Sequence, residues 1–116
     1  MPKTNTTTGA ERRRWKRVPL DVRVKLLLAE ADGVKVIHGR STVISEGGMG
    51  VTLTRELPKG TLATLVFTIP GEKEERSMPS RLTFRSGFGC GFEFVEITAD
   101  QRRELRAFCA QAGKQG

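Results

Sequence analysis

Arg12, Arg13, Arg14, Lys16 and Arg17 crowd five cationic side chains around Trp15 within six residues. Guanidinium groups are flat, permanently charged and fork-shaped, so they can grip a phosphate through two parallel hydrogen bonds. The same fork can lie on a purine face or donate to O6 and N7 of guanine. Such a cluster can read both halves of a guanine nucleotide. The plainer alternative is a solvated basic tail, or a patch for any polyanion. The wider charge distribution makes the cluster stand out. Residues 1–25 hold eight Lys and Arg against Glu11 and Asp21, so this segment carries +6 of the net +7. The positive potential is local, and an anionic partner is expected there.

Other chemistries find little support. His38 is the only histidine, which excludes a histidine-based metal cluster and leaves a Ser-His-Asp triad hanging on one strand residue. A partly exposed structural residue is the expectation for it. Cys90 and Cys109 stand far apart with no CxxC spacing, and core packing is their expected role. Gly47-Gly48-Met49-Gly50 lacks the Lys-Ser/Thr of a phosphate loop, and Gly87-x-Gly89-x-Gly91 fails the dinucleotide pattern. No catalytic residue, metal or cofactor is expected, and the chain reads as a non-enzyme. With no apolar leader and no run near the ~18 residues of a membrane span, it reads as cytoplasmic, without membrane insertion.

The elements that must position the arginines are mostly strands. Residues 1–10 read as a flexible polar tail, and Pro19 forces an extended entry at Val18. Val22, Val24, Leu26 and Leu28 alternate with Arg23, Lys25, Leu27 and Ala29, the period of a half-buried strand. Asp32-Gly33 signals a hairpin into Val34–Ile37. Further strands are expected around Met49–Thr54, Leu62–Ile69, Arg81–Arg85 and Cys90–Ile97, with turns at Pro58-Lys59-Gly60, Pro70-Gly71 and Gly87 to Gly89. The period then changes. Thr98-x-x-Gln101 has the form of a capping box, and Leu105, Phe108, Cys109 and Ala112 form one helical stripe that Gly113 is expected to end. The expected fold is mainly β, an antiparallel barrel closed by a C-terminal helix. It forms one domain over residues 11–112, with a short tail at 113–116.

Three stretches together resemble one family. Arg13-Arg14-Trp15-Lys16-Arg17 is similar to the RxxxR motif of the PilZ family, preceded by Glu11-Arg12 and followed by Val18-Pro19-Leu20. Val43-Ile44-Ser45-Glu46-Gly47-Gly48 resembles the family's (Asp/Asn)-x-Ser-x-x-Gly motif, and Gly91-Phe92-Glu93-Phe94 its Gly-x-x-Phe strand. The resemblance implies a six-stranded antiparallel β-barrel that binds the second messenger cyclic di-GMP on its outer surface and signals to an effector protein. Arg13 and Arg17 would contact phosphate and guanine, and Arg14 would add charge and stacking. Arg12 would help hold a second stacked nucleotide. Ser45 would bond near the base, and Gly48 would permit the turn and the ligand's close approach.

One position departs from the family pattern. Val43 stands where the family has Asp or Asn, and valine cannot accept a hydrogen bond from the guanine edge. Leaving that donor unpaired costs about 1–3 kcal/mol, roughly ten- to a hundredfold in affinity. A PilZ-like adaptor with weakened or lost nucleotide binding is therefore the second reading. A nucleic-acid-binding module using the basic arm is the third, disfavoured because no helix-turn-helix or zinc-finger pattern accompanies the charge.

Overall fold

Alternating apolar residues make these strands one-sided, and seven of them wrap so that the apolar sides share one interior. The computed structural model describes residues 17–115. Its strands are β1 (Val18–Pro19), β2 (Arg23–Glu30), β3 (Gly33–Ile44), β4 (Gly48–Leu53), β5 (Leu62–Phe67), β6 (Arg76–Ser86) and β7 (Gly89–Phe94), followed by helix α1 (Ala99–Gln115). The sheet runs β3-β2-β5-β6-β7-β4, and β4 pairs back onto β3. These six strands close an antiparallel barrel, which leaves no free edge among them. Two-residue β1 lies on the side of β3 that β2 also occupies, through Val18↔Ile44 and Pro19↔Val43.

The interior follows the alternation. Val24, Leu26, Leu65, Phe67, Met78 and Leu82 are all buried, while Arg23, Ser77 and Arg81 of the same strands face out. Leu105 and Cys109 of α1 complete the core from one end, with Phe108 and Ala112 packed beside them. Both cysteines are buried thiols that form no disulfide. Burial pushes the Cys90 thiol above its ordinary pKa, partly offset by the nearby Arg85, so it stays a protonated, inert packing group at neutral pH.

Several boundaries differ from the sequence expectation. The first hairpin turns at Ala31-Asp32, and Gly33 already pairs with Glu30. Strand β6 begins at Arg76 rather than Arg81 and contains Pro79. That proline lies beyond Ser80↔Phe94, the last β6–β7 pair, where a missing N–H costs little, and its carbonyl still accepts from the Val95 N–H at 2.8 Å. Strand β7 ends at Phe94 because Glu96 adopts a left-handed φ of 56°, turning the chain toward the helix. The helix continues through Gly113 to Gln115, so the expected stop is not there. A glycine ends a helix when it turns left-handed, and here it keeps the helical path.

The capping box forms as expected. The Gln101 N–H donates to Thr98 Oγ1 and the Thr98 N–H to Gln101 Oε1, each at 3.0 Å. Two ion-pair groups fix α1 against the barrel, one on Glu46 and one on Arg76. The Arg76 guanidinium takes Glu72 at 2.9–3.1 Å and Glu104 of α1 at 2.9 Å. Its pKa is raised chiefly by the hydrogen bond to Glu72, against an opposing effect of burial. Thr98→Ala removes one cap acceptor and is expected to cost about 1 kcal/mol, lowering Tm by about 5 °C in thermal denaturation. An unchanged Tm would mean that the box adds nothing to the helix.

Candidate functional site

The pairing of β1 with β3 decides where the basic leader enters. Val18 faces Ile44, so Arg17, one residue before it, stands beside Ser45, one residue after Ile44. Arg17 is exposed. Two segments separated by 28 positions thus meet at one end of the barrel. Arg12, Arg13 and Arg14, with Trp15 and Lys16, lie outside the described residues.

The chain turns from β3 into β4 through Ser45, Glu46 and Gly47. Ser45 is buried, and its hydroxyl organises this turn. It accepts from the Gly47 N–H at 3.1 Å and faces the Gly48 carbonyl as a donor at 3.4 Å, while the Ser45 N–H donates to that carbonyl at 2.8 Å. One acceptor lone pair of the hydroxyl remains for other use. Gly48 is required by the barrel itself. A Cβ there would fall 2.1 Å from the Phe92 carbonyl oxygen, so β4 and β7 could not approach as they do.

Beyond the turn the outer wall carries two adjacent glycines, flanked by the exposed Glu93 of β7 and Thr52 of β4. Gly50 of β4 pairs with Gly91 of β7, and their neighbours Met49, Val51, Cys90 and Phe92 all point inward. The two glycines form a shallow shelf without side chains of its own, over which neighbouring side chains lean closely enough that an added Cβ on Gly50 would meet Thr42 Oγ1 at 2.7 Å. Phe84 borders it on one side, its Cβ 3.3 Å from where a Gly91 Cβ would be. Thr42 and Val43 border it on the other, at a bulge where β3 shifts register against β4 between Ser41 and Val43. A flat ring laid on this shelf would rest against Thr42, Val43 and Phe84, with the adjoining turn and Arg17 as polar and cationic neighbours.

Glu46 was not singled out by sequence reasoning. It lies between Ser45 and Gly48, is 8% exposed, and accepts a two-pronged grip from Arg106 of α1 at 3.0–3.2 Å. Arg102 approaches the same carboxylate at 3.9 Å. The Arg106 pKa is raised, first by its hydrogen bond to Glu46. The four-residue spacing of Arg102 and Arg106 puts them on one helical flank, which sequence can show. Their partner sixty residues away is not readable from spacing. The glycine shelf was also missed, because it exists only once β4 and β7 are paired.

His38 is exposed on β3. It borders a groove of about 640 Å³ on the outer face of β2, β3 and β5, together with Arg23, Lys25 and Arg40. Acids already answer much of that charge, with Lys25 at 3.5 Å from Glu75 and Arg40 on Asp21. Among the described residues no group of three or more His, Cys, Asp or Glu could hold a metal ion. No helix among them is long and apolar enough to cross a membrane.

Solved structures share this architecture. The chain is similar to YcgR of Escherichia coli in complex with c-di-GMP, with a TM-score of 0.73 and 22% identity over 90% of this chain and 47% of that one. The separate PilZ domain of YcgR with c-di-GMP aligns at a TM-score of 0.69 and 19% identity, over 90% of this chain and 93% of that one. The Bacillus subtilis inhibitor of motility, MotI/DgrA, gives 0.68 and 21%, over 89% and 52%. The chain therefore spans about half the length of YcgR and MotI. At these identities the likeness concerns the fold. No curated protein sequence matches the chain. The sequence profile of the PilZ domain, however, matches residues 11–111, nearly the whole of what the barrel, the Ser45 turn and the helix are built from, and the chain belongs to that family.

Proposed function

We propose that this protein is a cyclic di-GMP receptor that relays the signal to a partner protein and has no catalytic activity of its own. One observation supports the reading: the β1–β3 pairing brings Arg17, the last residue of the first motif, next to the Ser45 turn of the second. Arg13, Arg14 and Arg17 are the proposed phosphate and guanine contacts, with Arg12 assisting a second stacked nucleotide. Ser45 holds the turn and offers its remaining lone pair. Gly48, by keeping β4 tight against β7, leaves the shelf open for a base. YcgR, whose structure was solved with c-di-GMP, has the same fold and supports the assignment.

Titration calorimetry of the full 116-residue chain with cyclic di-GMP tests this reading, with cyclic di-AMP and GMP as comparators. Saturable binding selective for cyclic di-GMP is expected. Arg17→Ala removes charge-assisted hydrogen bonds and should weaken binding about tenfold or more. No heat at ~1 mM nucleotide would overturn the receptor assignment. Val43 favours a second reading, a nucleotide-free adaptor acting through protein contacts, because it puts an apolar side chain at the rim of the shelf.

A further inference from the structure

The wall that lacks an acceptor at Val43 carries a hydroxyl one residue earlier. Strand β3 is in register with β4 at Ser41↔Val51, and the next pair is Val43↔Gly50. Thr42 is therefore the extra residue of a β-bulge, a device that re-aims side chains. Burial along the strand records the effect. Ser41 is buried, Thr42 exposed, Val43 half-buried and Ile44 buried, so the order is in, out, out, in, and strict alternation is broken. Both outward side chains lean over the same residue. A Cβ on Gly50 would sit 2.7 Å from Thr42 Oγ1 and 3.2 Å from Val43 Cγ2.

The backbone of the bulge is held in place. The Thr42 carbonyl accepts from the Leu20 N–H at 3.0 Å. The buried Ser41 hydroxyl donates to the Leu20 carbonyl and accepts from the Val22 N–H at 2.9 Å, tying the Ser41 flank of the bulge to the incoming chain. The Thr42 hydroxyl makes no hydrogen bond to any described residue, although the Thr42 carbonyl and the Ser41 hydroxyl beside it are both engaged. A threonine hydroxyl is one donor and two acceptor sites on a rotatable bond. It stands on the shelf rim beside the position from which a carboxylate would reach a base edge.

We infer that Thr42 is a ligand-binding, specificity-determining residue whose Oγ1 accepts a hydrogen bond from the guanine edge in place of the acceptor missing at Val43. This inference rests on the receptor reading above. A neutral hydroxyl offers one such bond where a carboxylate offers two oxygens, so the substitution retains part of the affinity and part of the preference for guanine over adenine.

The test is calorimetry with cyclic di-GMP and cyclic di-AMP on the wild type, Thr42→Val, Thr42→Ser, Val43→Asp and the double variant Thr42→Val/Val43→Asp. Thr42→Val keeps the shape and removes the hydroxyl. It is expected to weaken cyclic di-GMP about tenfold, with a smaller effect on cyclic di-AMP and an unchanged Tm. Thr42→Ser should stay within about threefold of the wild type. In the Val43→Asp background the Thr42→Val loss should shrink to about threefold or less, because one donor cannot need both acceptors. If the wild type binds and Thr42→Val binds equally well, the inference falls and the receptor reading stands. Equal losses in both backgrounds overturn the shared-donor role. If the wild type itself does not bind, the receptor reading fails, and the inference with it.

Discussion

Gly48→Ala is expected to destabilise the fold by about 3 kcal/mol or more, a drop in Tm on the order of 10–20 °C. The new methyl would meet the Phe92 carbonyl oxygen at 2.1 Å. That neighbour is backbone, held by the β4–β7 ladder at Gly48↔Glu93 and Met49↔Phe92, so no side chain can swing aside. The Phe94 N–H bond to the Gly47 carbonyl, 2.9 Å long, would be strained or lost with it. Gly91→Ala is the useful comparison. Its methyl would meet Phe84 Cβ at 3.3 Å, on an exposed residue, and a shift of a few tenths of an ångström relieves it. Chemical and thermal denaturation of both variants measures the difference. A Gly48→Ala protein within a few degrees of the wild type would show that β4 and β7 do not approach so closely. The result also governs how binding data are interpreted, because nucleotide affinity lost in a Gly48 variant reflects the barrel before it reflects any contact with ligand.

Val43→Asp is expected to raise cyclic di-GMP affinity by up to about tenfold in the wild type, where Thr42 already takes part of the load, and by roughly ten- to a hundredfold in the Thr42→Val background, where the guanine donor is otherwise unpaired at about 1–3 kcal/mol. The position tolerates the change. Val43 is half-buried on the outer wall between Pro19 and Gly50, neither of which encloses it, so a carboxylate there keeps contact with water. Lower strand propensity should limit the stability loss to about 1 kcal/mol. A folded Val43→Asp protein that shows no binding at all would favour the adaptor reading over a weakened receptor. A gain in affinity, with Tm nearly unchanged, would identify residue 43 as the place where this chain tuned its response.

Local features were legible in the sequence because they depend on neighbours within a few residues. The alternation from Val22 to Leu28, the turns at Pro58-Lys59-Gly60 and Pro70-Gly71, the capping box at Thr98 and the stripe from Leu105 to Ala112 all appear as expected. Gly60, Gly71 and Gly87 each carry the positive φ their turns demand. What sequence could not show was decided through space. The β3–β4 pairing that closes the barrel, the β1 register that brings Arg17 to Ser45, and the Glu46–Arg106 pair all join segments with no local signature of one another. The bulge at Thr42 belongs with them, since its extra residue becomes apparent only against the β4 partner. Gly48 shows the limit most plainly. Its motif position suggested a turn and a ligand approach, while the constraint on it comes from a carbonyl in β7.

The grip of α1 on Glu46 has an electrostatic consequence for the wall beside it. A bare carboxylate one residue from Ser45 would repel an arriving phosphodiester and draw Arg17 toward itself. With Arg106 gripping it and Arg102 close by on α1, that negative charge is already answered within the fold. The C-terminal helix is thus a counter-charge held against the turn, and loosening it would leave an unanswered carboxylate next to Ser45.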